Sequence, residues 1–155
     1  MARLRTVPVN LPFGLGGVQV DVSRAEASAA WQLYVEFATR VAAHPLAPRA
    51  GFVREALTSV YSLFDTTRQV LREAGPEVDE RLDSLGPVAI RTLNDGLHPF
   101  LEGWHTELRC AHANGADEEL GSDRSSVFED ELRRLRDGLG LSVNALARIA
   151  GTVPA

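Results

Sequence analysis

The sequence predicts a mainly α-helical fold: an antiparallel four-helix bundle with a small N-terminal β-hairpin. Three observations support this prediction. Apolar residues alternate at period two only before residue 23, they recur at helical spacing in four later segments, and proline or glycine separates those segments. The chain has 155 residues, of which 45% are hydrophobic and 24% are charged, as expected for a globular domain. We therefore expect a single domain over residues 1–155.

Residues 1–22 are predicted to form the hairpin arm. Apolar side chains alternate on both sides of the turn-forming stretch NLPFGLGG, at Val7, Val9, Leu11, Val18, Val20 and Val22. Pro8 cannot donate a hydrogen bond to a neighbouring strand, so its strand should lie at an edge. The glycines of the turn lack the spacing and the Lys-Ser/Thr pair of a phosphate-binding loop, and we interpret them as turn residues.

The bundle helices are predicted over residues 23–44, 50–75, 87–112 and 125–150. Capping boxes are predicted at Ser23 with Glu26 and at Ser126 with Glu129. The apolar stripe of the first helix is assigned to Trp31, Tyr34, Val35, Ala38, Val41 and Ala42. That of the third helix is assigned to Ile90, Leu93, Leu97, Leu101, Trp104 and Leu108. Phe64 and Trp104 are expected at the centre of the core because each lies on a stripe that continues for several turns.

Charged residues on the fourth helix predict its solvent-facing side. Glu129 with Arg133, and Asp130 with Arg134, have the i,i+4 spacing of stabilising ion pairs. These pairs should therefore form on that side.

The stretch LNDGLHPFLEGWH predicts a bend in the third helix. Pro99 removes one helical hydrogen bond and would clash with the carbonyl of Asp95, so the helix should kink between Gly96 and Pro99.

The same stretch carries a possible metal-binding spacing. His98, Glu102 and His105 share one helix face, as metal ligands do. No second pair of ligands at helical spacing accompanies them, and their position beside the apolar stripe is typical of side chains that reach solvent. We therefore predict no metal site, and a metal-binding bundle remains an alternative.

A second alternative is enzymatic. Arg91 and His98 enclose six residues, which resembles the Arg-x(4-6)-His motif of HEPN-domain ribonucleases. The resemblance implies RNA cleavage at a dimer interface by these two residues. The chain departs from the family pattern at Thr92, where that family favours Asn, Asp or His, and at Pro99.

The C-terminal segment ELRRLRDGLGLSVNALARIAG resembles the first two helices of repressor-type helix-turn-helix domains. A recognition helix would have to follow for DNA to be read, and none follows within the sequence. The apolar period also passes through Gly138 and Gly140 without a phase change, so we expect one continuous helix with two tolerated glycines.

The segments WQLYVEFATRVA, REALTSVYSLFDTTRQVL, LNDGLHPFLEGWHTEL and ALARIAG are together similar to an uncharacterised family of bacterial helical-bundle proteins. That family has no established activity. The resemblance implies a helical fold without catalytic residues, and a bacterial signalling or defence system as the setting.

Charge and motif content favour binding over catalysis. A net charge of -5 disfavours nucleic acid and anionic membranes. The single cysteine, Cys110, cannot form an internal disulfide, and neither a signal peptide nor a membrane-spanning segment is predicted, so we expect a soluble cytoplasmic protein. The standard catalytic and nucleotide-binding motifs are missing. These features predict a non-catalytic protein-protein interaction or oligomerisation module without catalytic residues, metal or cofactor.

The expected partner is another protein or a second copy of the chain. A two-stranded ribbon is barely stable alone, so either the chain's own helices or the hairpin of a second copy should cover it. Of these two, a dimer about a two-fold axis, the commonest symmetry of soluble oligomers, is favoured because a partner would also shield the wide apolar faces of the helices.

Overall fold

The computed structural model describes residues 5–42, 52–79, 84–113 and 122–152. The chain is mainly helical, with an N-terminal antiparallel hairpin and four helices. The strands are Arg5–Leu11 (β1) and Gly16–Val22 (β2), and the helices are Arg24–Phe37 (α1), Phe52–Ala74 (α2), Leu85–Thr92 (α3) with His98–Ala113 (α4) as two parts of the third helix, and Ser122–Ala150 (α5). Residues 1–4 of the predicted hairpin arm, the predicted end of the first helix at 43–44 and the predicted start of the second at 50–51 lie outside the described residues.

Three short turns complete the described elements. A π-helical turn, Ala38–Ala42, extends α1, and a second one, Leu93–Leu97, joins α3 to α4. A 3-10 turn, Pro76–Asp79, follows α2. The buried residues of the hairpin and of all four helices belong to one hydrophobic cluster. No helix among the described residues combines the length and apolar character that a membrane span requires.

The hairpin forms where period-two alternation predicts it. Val7 faces Val20 and Val9 faces Val18 in the antiparallel register. Between the strands, the Leu15 N–H donates to the Pro12 carbonyl at 3.3 Å, which closes a β-turn. The two central residues of that turn, Phe13 and Gly14, both have positive φ angles of 60° and 74°.

The apolar side of the hairpin is buried against α5 of the same chain. The Arg5 guanidinium donates to the Arg148 carbonyl at 3.0 Å and to the Ile149 carbonyl at 2.8 Å. In return, Arg148 Nη1 donates to the Pro8 carbonyl at 3.4 Å. The sequence predicts that either the chain's own helices or a second copy covers the hairpin. In the structure α5 of the same chain covers it, so this surface does not require a second copy.

Phe13 extends from the hairpin turn into a gap that two glycines leave open. A Cβ atom added at Gly96 would lie 2.3 Å from Phe13 Cδ2, and one added at Gly138 would lie 2.8 Å from Phe13 Cε1. Both distances are too short for real carbon atoms. Gly96 and Gly138 therefore provide the space for the ring, a role beyond that of tolerated helix glycines.

The capping box at the start of α1 is confirmed and also connects two helices. The Ser23 hydroxyl accepts from the Glu26 N–H at 3.1 Å, and Glu26 Oε2 accepts from the Ser23 N–H at 2.8 Å. The other carboxylate oxygen, Oε1, accepts from the Leu85 N–H at 3.1 Å. Glu26 is only 2% exposed, so its buried carboxylate satisfies backbone donors at the start of both α1 and α3.

The predicted cap at Ser126 with Glu129 is wrong because α5 begins at Ser122 and both residues lie inside it. Arg124, in the first turn of α5, pairs with Glu107 of α4 and so extends the helix contact beyond the predicted start. Arg133 Nη1 lies 3.1 Å from Asp130 Oδ1, so Asp130 pairs at i,i+3 and not with Arg134 as predicted.

Helix α5 is continuous, as predicted, and has no helix-turn-helix break. It passes through Gly138 and Gly140 and ends before Gly151, whose φ is +80°. The Thr152 N–H donates to the Ala147 carbonyl at 2.9 Å, and the Gly151 N–H donates to the Arg148 carbonyl at 3.2 Å. These two bonds form a Schellman motif, which satisfies the last carbonyls of the helix.

The core stripes agree with the prediction for Phe64 and Trp104, which are both buried, and differ in α1. The face of α1 that is buried consists of Glu26, Ala29, Ala30, Leu33 and Phe37. The predicted core residues Trp31 and Val35 are exposed. The prediction was wrong because α1 carries apolar residues on two sides and the smaller alanines face the core.

The predicted distortion of the third helix takes the form of the π-helical turn Leu93–Leu97, in which the His98 N–H donates to the Leu93 carbonyl. A π turn contains one residue more than an α turn and shifts the helix face by about 100°. Thr92, directly before the turn, and Leu97, the last residue of the turn, are consequently both buried. Ile90, predicted in the core on an uninterrupted helical period, is exposed for the same reason.

Candidate functional site

The residues with a metal-binding spacing lie on the exposed side of α4. His98 Nδ1 is 3.7 Å from Glu102 Oε2, and both side chains are exposed. His105 is exposed as well. Across the described ranges, no three His, Cys, Asp or Glu side chains are grouped so that they could hold a metal ion. His98 and Glu102 therefore form a solvent-facing pair at the surface.

The two residues of the HEPN-like motif lie on either side of the π-helical turn. Arg91 is exposed near the end of α3, and His98 is exposed at the start of α4. Seven residues apart on a regular α-helix, they would share one face. The additional residue of the turn rotates His98 away from the face of Arg91 by about 100°.

An aromatic cluster connects α4 to α5. Trp104 Nε1 donates to Glu131 Oε2 at 2.7 Å, and the Trp104 ring meets the edge of Phe128 with a centroid distance of 4.9 Å. Arg124 lies over Trp104 at 5.3 Å and pairs with Glu107. The hydrogen bond to Glu107 raises the pKa of the Arg124 guanidinium. The polar atom of Trp104 is satisfied within the chain, so we interpret this cluster as a structural contact.

Large apolar side chains reach the surface on the outer face of α1, which we define as Trp31, Tyr34 and Val35. Trp31 is 50% exposed, and its ring stacks on Tyr34 with a centroid distance of 5.6 Å. Val35 is exposed beside them. Trp31 and Val35, at i and i+4, lie on the side of the helix away from the buried face, and Tyr34, at i+3, is partly buried and packs against the core at the edge of this surface.

A cavity of about 40 Å³ lies where the hairpin and all four helices meet. Its walls are apolar except for three hydroxyls, those of Thr67, Thr92 and Ser142. The Thr67 hydroxyl donates to the Leu63 carbonyl at 2.7 Å, and the Thr92 hydroxyl donates to the Val88 carbonyl at 3.0 Å. The Ser142 hydroxyl is buried and has no hydrogen-bond partner among the described residues.

Sequence reasoning missed both of these features. It placed Trp31 and Val35 in the core because their helical spacing is that of a buried stripe. The alanines at positions 29 and 30, in line with Leu33 and Phe37, were the signal for a second apolar face. Nothing in the spacing of Ser142 distinguishes it from a solvent-facing serine.

Cys110 adds no chemistry to the outer face of α1 or to the cavity, because it is exposed near the end of α4.

No protein-family model, curated protein or solved structure matches this chain, so its similarity to a bacterial helical-bundle family stays a prediction.

Proposed function

We propose that this chain is a non-catalytic protein-protein interaction module and that the outer face of α1 is its docking surface. The observation that carries the proposal is the half-exposed Trp31, stacked on Tyr34 beside the exposed Val35. The opposite side of α1 is already buried in the core.

A surface helix needs only one apolar face to hold it on its own protein. A second apolar face leaves large side chains in water, and such patches commonly mark interaction sites. Tryptophan and tyrosine are the residues that most often dominate binding energy at protein interfaces. The stacking of Trp31 on Tyr34 also restricts both rings before any partner binds, which lowers the entropy cost of association.

Polar residues surround the outer face of α1, as they do at the rim of a protein-protein interface. Glu36 and Arg40 form an ion pair at 3.0 Å one turn further along, and Gln32 is exposed beside Trp31. An apolar centre with a polar rim is the usual composition of a protein-protein interface. The partner is another protein or a second copy of this chain, and the two experiments below distinguish them.

The proposal includes an antiparallel arrangement of the four helices as a bundle, which would hold α1 on a rigid scaffold. The cavity lined by all four helices supports a bundle. We also propose the cytoplasm as the compartment, and the single cysteine of the sequence supports a reducing environment. The ribonuclease alternative has less support, because the π-helical turn rotates His98 away from Arg91.

Fluorescence of a single tryptophan can test whether a second copy covers the outer face of α1. The chain has two tryptophans, so Trp104→Phe leaves Trp31 as the only one. If copies associate through this face, raising the protein concentration shifts the Trp31 emission to shorter wavelength and reduces its quenching by acrylamide. Unchanged emission, with a monomeric mass by light scattering, would contradict the second copy as partner.

Photo-crosslinking in the native cell tests docking of any protein. A photoreactive amino acid at position 31 should give a discrete adduct. The same amino acid at position 61 should not, because Tyr61 is equally exposed, at 51%, on another helix. Trp31→Ala should change the free energy of unfolding by only about 1–2 kcal/mol, because half of the side chain is already exposed. Equal adducts from both positions, or none from position 31, would contradict the module.

A further inference from the structure

We propose that the cavity between the hairpin and the four helices is a binding site for a small, neutral and mainly aliphatic molecule with one hydrogen-bonding group, such as a short alcohol. This site is separate from the outer face of α1, because its walls come from the interior of the protein. It is independent of the proposed docking function.

Ser142 is the observation that points to a ligand. Serine and threonine inside helices usually donate to the carbonyl four residues back, as Thr67 and Thr92 do here. Ser142 does not, although it is only 7% exposed and lines the cavity. Native proteins seldom leave a buried hydroxyl unpaired, so a hydrogen-bond partner inside the cavity would explain this one.

The walls define the chemistry of the molecule. Every lining residue except the three hydroxyl residues is apolar, and none is charged. An ionised ligand would lose its hydration without meeting an opposite charge, so the ligand is neutral. Its one polar group can bond to Ser142, while the hydroxyl oxygens of Thr67 and Thr92 keep lone pairs that can accept a hydrogen bond.

The volume limits the size of the molecule. The cavity holds about 40 Å³, whereas one water needs roughly 10–15 Å³ and an engineered apolar cavity that binds benzene has about 150 Å³. At about a quarter of the volume of the benzene-binding cavity, this cavity limits the ligand to a few non-hydrogen atoms. The alternative occupant is water, which requires two to four polar partners in an otherwise apolar space.

The test compares two probes of similar size. In 1-propanol the polar group can donate and accept hydrogen bonds, whereas 1-chloropropane cannot donate. Each is titrated into the full chain, and binding is followed by NMR through the methyl signals of Leu33, Val88 and Leu146, which lie at or near the cavity wall. We expect saturable shifts at these methyls with both probes, and the effect of Ser142 on each affinity separates hydrogen bonding from apolar contact.

Variants on α5 identify the hydroxyl. Ser142→Ala should weaken 1-propanol binding about tenfold, equivalent to one neutral hydrogen bond, and leave 1-chloropropane binding unchanged. Ala145→Val should weaken both probes because it fills the cavity. Asn144→Ala is the control, since Asn144 is exposed on the same helix.

Thermal melting of the variant checks that weaker binding does not result from a less stable fold. Ser142→Ala removes an unpaired hydroxyl, so this variant should melt no lower than the parent chain. The proposal fails if neither probe shifts the cavity methyls, or if Ser142→Ala binds 1-propanol as tightly as the parent. It also fails if water-protein cross-peaks at Ser142 and Thr92 persist unchanged at saturating 1-propanol, which would indicate a buried water only.

Discussion

At the scale of single residues, Phe13 has an unusual backbone conformation with an identifiable purpose. Its φ of 60° is rare for a bulky side chain, and such positions cost about 1–3 kcal/mol. The conformation directs the ring into the space beside Gly96 and Gly138. Contacts of the ring with two helices can offset that cost. The sequence shows all three residues, but no local spacing relates position 13 to positions 96 and 138.

Two glycines of α5, only two residues apart, should therefore respond oppositely to alanine. Gly140→Ala meets no atom within 4 Å, so it should stabilise the fold by about 1 kcal/mol through helix propensity. Gly138→Ala gains the same propensity but collides with Phe13, and we expect a net loss of about 1–3 kcal/mol. Unfolding in urea measures both changes.

Removing the ring provides the control. In a Phe13→Ala background the collision at position 138 is absent, so Gly138→Ala should become neutral or stabilising there. Equal stabilisation by Gly138→Ala and Gly140→Ala in the parent chain would show that Phe13 does not occupy this gap in solution.

At the scale of elements, the sequence predicts helix positions better than helix faces. The capping box of Ser23 and Glu26 defines the start of α1 through local bonds between neighbouring residues, and that prediction is confirmed. The face of α1 depends on which of its two apolar sides meets the other helices. Tertiary packing determines which side is buried, and the buried side carries Leu33 and Phe37 with the small Ala29 and Ala30.

The third helix shows the same limit. Pro99 predicts a distortion, and one is present as a π-helical turn. In the sequence this turn corresponds to a step of five residues between the buried Thr92 and Leu97. A regular helical period has steps of three and four, so it does not predict this step. A threonine is also a weak marker of burial, so the exposed Ile90 appeared to be the better core residue.

Deleting Asn94 should test the role of the π-helical turn. Asn94 is exposed, so its side chain contributes little, and its loss would convert the turn to a regular α turn without rotating α4, because the deletion removes the one additional residue of the π turn. Leu97 would then stand four positions after Thr92 and stay in the core together with Leu101 and Trp104, so we expect the deletion variant to melt close to the parent chain. Near-ultraviolet circular dichroism and thermal melting measure the change.

The matched control is the deletion of Glu102, an exposed residue in the regular part of α4. No additional residue can be removed there, so Trp104 would rotate out of the core, and we expect a loss of at least about 3 kcal/mol. If the two deletions destabilise the chain equally, then the π-helical turn does not contain a residue that α4 can lose without changing its register.

At the scale of the whole molecule, the sequence predicts the mainly helical class, the hairpin and the four helices, because each depends on local periodicity and turn residues. It does not predict the cavity, whose walls come from five elements far apart in the chain. The residues of the candidate sites that local spacing predicted, at positions 91, 98, 102 and 105, are exposed, and the features that favour function, Trp31 and Ser142, depend on tertiary position.

Removing residues 1–22 should strongly destabilise the full fold. The hairpin supplies five buried side chains to the shared core, and α5 would expose the surface beneath them. We expect a large fall in the melting temperature, with loss of cooperative unfolding as the extreme result. Calorimetry measures this effect, and light scattering shows whether assembly changes as well.

Gln19→Ala is the control for this truncation because Gln19 is on the exposed side of β2. Equal melting temperatures for the truncated and parent chains would contradict the hairpin as a structural brace.

The position of the hairpin on α5 also sets an order of events during translation. The ribosome releases the hairpin residues long before those of α5, because Arg5 and its acceptor Ile149 are 144 positions apart. At about 5–20 residues per second, the nascent ribbon waits roughly 7–30 seconds for its covering helix. During that interval its valines are accessible to neighbouring nascent chains. Pro8, which offers no N–H to an incoming strand, then protects the growing polypeptide from premature pairing.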